Sequence, residues 1–258
     1  MKKGKVYLVG AGPGDIGLVT LKAVSLIKTA DVIIYDHLAN PELLSFARKD
    51  TERIFGGKYP SKHLLFQEEI NRLLVTKASQ GKLVVRLKGG DPFLFGRGAE
   101  EAQALVKSRI PFEIVPGVSS ALAVPAYAGI PVTFRNVSTR LNIVTGHKAA
   151  KSKAMNWENL IDSQSTLVIL MGLANLDMII GQCGSSRLVR SMPVAVISQG
   201  TLPQQKVVVG TVATIVQRVK KQMVIPPAII VIGNVVKLRS KLAWFEPDIS
   251  EPVNKKKR

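Results

Sequence analysis

Two short stretches of the chain combine glycine, an acid and a proline: GAGPGD at residues 10–15 and GGDP at residues 89–92. Each follows an apolar run, VYLV in the first case and LVV within KLVVRLK in the second. Glycines there let the backbone come close to a ligand or to another loop, and a strand–turn–helix setting is the usual place for a nucleotide. A diphosphate, however, is held by free backbone N–H groups at a helix N-terminus, and Pro13 has none. Asp15 stands where the dinucleotide pattern wants a third small residue and puts a carboxylate about where the diphosphate would sit. Its simpler role is to cap the helix expected from Leu18 onward. Both loops therefore suit a flat or hydroxylated ligand without phosphate, cationic ligands included. S-adenosylmethionine meets that description, and so does the alternative that both are tight turns capped by Asp with no ligand at all.

The elements that must carry these loops alternate. ADVIIYDHL reads as a strand ending in Asp36, EEINRLLVTKAS as a helix with Ile70, Leu73 and Leu74 on one face, and FEIV as a short strand before the turn at Pro116 and Gly117. Continuous apolar strands between helices predict a mostly parallel sheet covered on both faces. A second α/β unit begins near Arg135, with strands in NIVTGH, TLVILMG, PVAVISQGT and PAIIVIGNVV, a helix in LANLDMIIGQC, and KVVV and TVAT read as two further strands. The expected organisation is two consecutive α/β domains with mostly parallel sheets, residues 1–134 and 135–245, followed by a mobile basic tail, residues 246–258. Ligands in such folds lie at the carboxyl ends of strands, where the informative loops fall.

Composition narrows the class. The 258 residues suffice for one large or two modest domains. No apolar run reaches the roughly 20 residues of a membrane span, and the glycine loop arrives too early for a signal peptide, so a cytoplasmic protein without a membrane partner is expected. The single cysteine, Cys183, fits a reducing compartment. With three histidines at 37, 63 and 147 and that one cysteine, no metal site is expected. The formal charge is +18, and removing the four basic residues at 255–258 still leaves +14. A polyanionic partner would explain this, whether nucleic acid or a small polycarboxylate, as would general solubility. Only 5% of residues are aromatic and none interleave with basic runs, which weighs against a single-stranded nucleic-acid platform.

Taken together, VGAGPGD, YDHL, QEEINRLLV, VVRLKGGDPFLFGRGAEE, VPGVSSALAVPAYAGIPVT, VTGH, STLVILMG, ISQGTLPQQ and PAIIVIGNVV occur in one order over about residues 4–240. In this the chain resembles the tetrapyrrole (class III) methyltransferase family, and GRGAEE, AGIPVT and GTLPQQ point to its uroporphyrinogen-III C-methyltransferase branch. The resemblance implies two α/β domains with an active cleft between them, a homodimer, S-adenosylmethionine as methyl donor and uroporphyrinogen III as substrate, with precorrin-2, the precursor of sirohaem and cobalamin, as product. It places the cofactor against Pro13, Gly89, Gly90, Asp91, Leu94, Ser119, Ser120, Met171 and Gly200. It makes Asp36 the proton acceptor and Lys58 the proton donor. The Ser119–Ser120 pair departs from the family's usual Thr-Ala or Thr-Ser but keeps a hydroxyl, and Phe134–Arg135 stands where many relatives have His-Arg. The substrate's eight carboxylates make Arg97 and Arg135 candidate partners, with Lys88 and His37 behind them. The alternatives are a methyltransferase of the same fold acting on ribosomal RNA and a non-catalytic basic nucleotide-binding protein. Pro13 and Asp15 disfavour a dinucleotide-dependent dehydrogenase.

Overall fold

The computed structural model describes residues 3–56, 67–147, 156–184 and 186–246. The chain divides into two compact units, Met1–Ser119 and Ser120–Arg258. Lys58, His63 and nearly all of the expected tail, from 247 on, lie outside the described residues.

The first unit is built from β1 (Lys5–Gly10), α1 (Leu21–Thr29), β2 (Val32–Tyr35), β3 (Glu52–Phe55), α2 (Gln67–Ser79), β4 (Leu83–Lys88), α3 (Gly98–Lys107) and β5 (Phe112–Val115). Its sheet runs β3-β2-β4-β1-β5 with every pairing parallel, as the sequence predicts. Alternation along the strands sorts the core into two layers. Val6, Leu8, Val32, Ile34 and Val84 face Ile70 and Leu74 of α2 and Leu105 of α3. Val9, Ile33, Val85 and Leu87 face Ala23 and Ile27 of α1 on the opposite side. The same alternation carries Arg86 and Lys88 onto the α2–α3 side at the carboxyl end of β4. The register pairs Ile34 with Arg86.

The helix after the first glycine loop starts later than its spacing implies. Asp15 caps only a single 3₁₀ turn, Ile16–Leu18, by accepting from Gly17 N at 2.7 Å. The α-helix begins at Leu21 behind its own cap, Thr20, whose hydroxyl accepts from Ala23 N at 3.1 Å. No long-helix N-terminus therefore opens onto the loop, which removes the element a diphosphate site needs.

The second unit holds α4 (Ser120–Tyr127), β6 (Arg140–Thr145), β7 (Ser165–Leu170), α5 (Leu176–Gly181), α6 (Arg187–Ser191), β8 (Pro193–Ser198), β9 (Lys206–Thr211), α7 (Ile215–Lys221), β10 (Ala228–Ile232) and α8 (Arg239–Leu242). The helix α4 packs on β7 and β10, so the division falls at Ser119/Ser120 rather than at the expected 134/135. The sheet order is β6-β7-β10-β8-β9. Here the expectation of a mostly parallel sheet is corrected: only β6 and β7 are parallel, and the other three pairings are antiparallel. For β8 and β9 the reason is connection length. Residues 199–205 join β8 to β9, too short for the crossover a parallel pair requires. Nor is TVAT a strand. Thr211 N donates to Thr214 Oγ1 at 3.0 Å, turning the chain into α7. The core lies between this sheet and α5–α7, with Leu167, Ile169, Val194, Val196, Ile215 and Ile230 at its centre. Among the described residues no helix is long and apolar enough to cross a membrane.

Candidate functional site

At the carboxyl end of the first sheet three loops meet through their backbones. Ala11 N donates to Lys88 O at 2.7 Å, and Gly12 and Gly90 exchange hydrogen bonds, N to O, at 3.3 and 2.7 Å. The turn at Gly117 closes on both. A Cβ on Gly117 would fall 2.3 Å from Gly90 O and 2.7 Å from Gly10 Cα, and one on Gly10 would fall 2.5 Å from Gly117 Cα. A Cβ on Gly89 would meet Leu38 Cβ at 2.6 Å. The room these glycines make is thus filled largely by the protein's own chain. Gly90 also needs its left-handed φ of 66°.

Asp91 ties the loops together. Its Oδ1 accepts from Phe93 N at 2.8 Å and its Oδ2 from Gly117 N at 3.0 Å. Asn40 donates to Gly14 O at 2.8 Å and so fastens the segment after β2 to the first loop. The cluster unites Pro13, Gly89, Gly90, Asp91 and, half-buried on the same turn, Leu94. Ser119 is the last residue of this unit. Pro13 offers no N–H, and the α-helix after the first loop begins only at Leu21, both of which count against a diphosphate here.

Asp36 follows β2 directly, its N–H donating to Leu87 O at 3.1 Å. Its carboxylate retains 27% exposure, while Oδ1 accepts from Arg86 Nη2 at 2.5 Å and Oδ2 stands 3.7 Å from Lys88 Nζ. Behind it the charges continue into the core. Arg86 Nε and Lys88 Nζ each donate at 2.9 Å to Oε1 of Glu101, a residue of α3 with no exposed side-chain surface. Gln67 Nε2 adds a third donor to the same oxygen at 3.3 Å. Two cations and two carboxylates make the group neutral, which is how buried charge is tolerated. Burial, and after it the neighbouring Arg86, push the Lys88 ammonium below its ordinary range, with Glu101 and Asp36 opposing. For Arg86 burial acts downward too, but Glu101 and Asp36 outweigh it and hold the guanidinium above its usual value.

Lys88 is therefore committed inside the protein, and its candidacy for substrate carboxylates is corrected. Arg97 is exposed but engaged, its Nε and Nη2 gripping both oxygens of Glu100 at 2.9 and 2.7 Å. His37 is exposed. Residue-type reasoning passed over Arg86 and Glu101. The available signal was a basic pair at i and i+2 inside an apolar strand, an arrangement that demands a buried anion nearby.

In the second unit Ser120 opens α4, and Gly200 lies against that helix: a Cβ on it would fall 2.3 Å from Val124 Cγ1. Gln199 and Thr201 flank Gly200 with φ of 50° and 67°, and Thr201 N donates to Gln205 Oε1 at 2.9 Å. Met171, just past β7, also has positive φ, 54°, and is half exposed. Positive φ in non-glycine residues, above all β-branched ones, is costly and gathers at functional loops. Arg135 is exposed in the turn closed by the Phe134–Ser138 bridge.

The family model for Tetrapyrrole (Corrin/Porphyrin) Methylases matches residues 5–216. The chain is 50% identical to uroporphyrinogen-III C-methyltransferase of Methanocaldococcus jannaschii, over 90% of this chain and 97% of that protein. It is 48% identical to siroheme synthase of Azotobacter vinelandii, over 94% of this chain but 52% of the relative, so it spans about half the length of the siroheme synthases it matches. A solved structure of uroporphyrin-III C-methyl transferase from Thermus thermophilus, complexed with S-adenyl homocysteine, superposes with a TM-score of 0.76 at 35% identity, covering 91% of this chain and 94% of that one. Both glycine loops and the strands β1 to β9 fall within the family match, and the chain belongs to the tetrapyrrole (corrin/porphyrin) methylases.

Proposed function

We propose that this protein methylates carbon atoms of uroporphyrinogen III, two in succession, using S-adenosylmethionine and yielding precorrin-2 for sirohaem or cobalamin synthesis. The observation that carries the reading is the match along nearly the whole length of both chains to a uroporphyrinogen-III C-methyltransferase at 50% identity. The loops support it. Pro13, Gly89, Gly90, Asp91, Leu94 and Ser119 of the first unit would hold the methyl donor, together with Ser120, Met171 and Gly200 of the second. When bound, S-adenosylmethionine supplies an already activated methyl group, so the protein's main tasks are alignment and proton removal.

Attachment of a methyl group to a substituted ring carbon leaves the ring one unit more positive. A ring proton must then depart while its bonding pair stays on the ring. Asp36 is the acceptor in this reading: it ends a strand, it is partly exposed, and Arg86 fixes one oxygen while the other accepts no hydrogen bond among the described residues. Lys58 as proton donor and Arg97 and Arg135 as partners of substrate carboxylates belong to the same proposal, and Arg97 would have to exchange Glu100 for the substrate. A cytoplasmic homodimer accompanies it, by analogy with the family.

The test is incubation with uroporphyrinogen III and S-adenosylmethionine, followed by product mass. A gain of one or two methyl groups with matching release of S-adenosylhomocysteine is expected. Asp36→Asn should lower kcat by about 10² to 10⁴ and leave S-adenosylhomocysteine affinity intact. No methylation of the tetrapyrrole, with transfer to ribosomal RNA instead, would overturn the reading.

A further inference from the structure

We propose that Glu101 is a positioning residue for Asp36, acting through Arg86 and Lys88 to keep one oxygen of that carboxylate open to the substrate's proton. The inference rests on the reading of Asp36 as proton acceptor. Glu101 sits in the first turn of α3 and directs all its bonding to one atom. Oε1 accepts from Arg86 Nε at 2.9 Å, Lys88 Nζ at 2.9 Å and Gln67 Nε2 at 3.3 Å. Oε2 is buried and accepts no hydrogen bond among the described residues.

Two consequences follow for Asp36. The guanidinium is planar, so fixing Nε to Glu101, with Nη1 near Ile34 O at 3.4 Å, also fixes where Nη2 points, and Nη2 is the donor to Asp36 Oδ1. The ammonium of Lys88 is a mobile point charge on a flexible stem. Glu101 draws it to 2.9 Å and so keeps it 3.7 Å from Asp36 Oδ2. Without the Glu101 charge, two buried cations would face one carboxylate. Lys88 would close on Oδ2, and both oxygens of the base would then be capped by donors. A cluster serving only to hold α3 to the sheet has no need of a fourth member reaching solvent, since apolar packing does that work as well. Asp36 is that member.

The experiment compares Glu101→Gln, Glu101→Asp, Asp36→Asn and the double variant Glu101→Gln/Asp36→Asn, reading kcat, KM for the tetrapyrrole and S-adenosylhomocysteine affinity by calorimetry. Glu101→Gln should lower kcat about tenfold or more, with KM and product affinity within about twofold of the parent. Glu101→Asp, which keeps the charge, should recover part of the loss. The double variant should be no slower than Asp36→Asn alone, because both act through one carboxylate. Removing the displaced cation should rescue: Glu101→Gln/Lys88→Met is charge-balanced and should regain kcat. That variant also carries the test if Glu101→Gln alone does not fold. Parental kcat in Glu101→Gln beside a slow Asp36→Asn overturns the role of Glu101 while sparing Asp36. A Glu101→Gln/Lys88→Met variant that folds yet is as slow as Asp36→Asn does the same. Parental kcat in Asp36→Asn overturns both readings.

Discussion

Replacing Asp91 distinguishes a ligand contact from a structural tie. Its carboxylate accepts two backbone N–H bonds, from Phe93 at 2.8 Å on the exposed side and from Gly117 at 3.0 Å on the half-buried side. A hydrogen bond to a charged acceptor contributes about 1.5–3 kcal/mol, and solvent at the exposed bond reduces that to about 0.5 kcal/mol. Asp91→Ala should therefore cost about 2 kcal/mol, near the low end of the sum and equivalent to about thirtyfold in the unfolding equilibrium. Asp91→Asn keeps one acceptor oxygen and turns an NH₂ toward the other N–H, so it should lose one of the two bonds and fall between. The assay is urea denaturation without ligand, with m-values checked for constancy, paired with calorimetry of S-adenosylhomocysteine. Because Gly117 packs on Gly10 and Gly90, the loosened turn should also weaken product binding in both variants. An Asp91→Ala protein that unfolds at the parental urea concentration, yet binds product poorly, would refute the structural account and leave Asp91 as a ligand contact alone.

Gly117→Ala should destabilise by about 1–3 kcal/mol, since its Cβ would fall 2.3 Å from Gly90 O; a parental midpoint on urea denaturation would count against the three-loop junction. Gly181→Ala, in α5 with nothing within 4 Å of the added methyl, should instead gain about 0.5–1 kcal/mol, and any loss there would show that the site is not open. Glu113 accepts from Lys22 and from Lys5, the latter at 2.6 Å, and these bonds hold its carboxyl down at about 2 against an ordinary 4.5. A depressed carboxylate contributes stability that is present above the ordinary value and is lost as pH falls toward 2. The stability gap between parent and Glu113→Gln should accordingly shrink over that window, and a gap independent of pH would refute the assignment.

The sequence disclosed most where one pattern answers one question. Runs such as PVAVIS and TLVIL announce burial on both faces, and they are indeed core strands, but burial says nothing about direction. The direction of β9 against β8 is set by the short link at residues 199–205, whose length was legible and carried the answer that the apolar pattern could not. The glycine loops were legible as close turns and less so in their workings: Gly10, Gly89 and Gly117 are small because other backbone or Leu38 occupies the space, so any ligand there would meet the surface of a junction rather than a vacancy left for it. Asp36 was visible at a strand end, whereas its environment was not, because the four members of the charge group come from three separate elements. Arg86 and Lys88 share a face of β4, Asp36 follows β2, and Glu101 arrives on α3. Only the register Ile34–Arg86 and the packing of α3 on that face bring them together. A basic residue inside an apolar strand still carries an inference of its own: burying it requires an anion, and the sequence offers few carboxylates near enough. The second acid of GRGAEE, one helical turn past Arg97, is the one the fold supplies, so the charged surroundings of Asp36 are completed by a residue whose own motif faces solvent at its first acid and the core at its second.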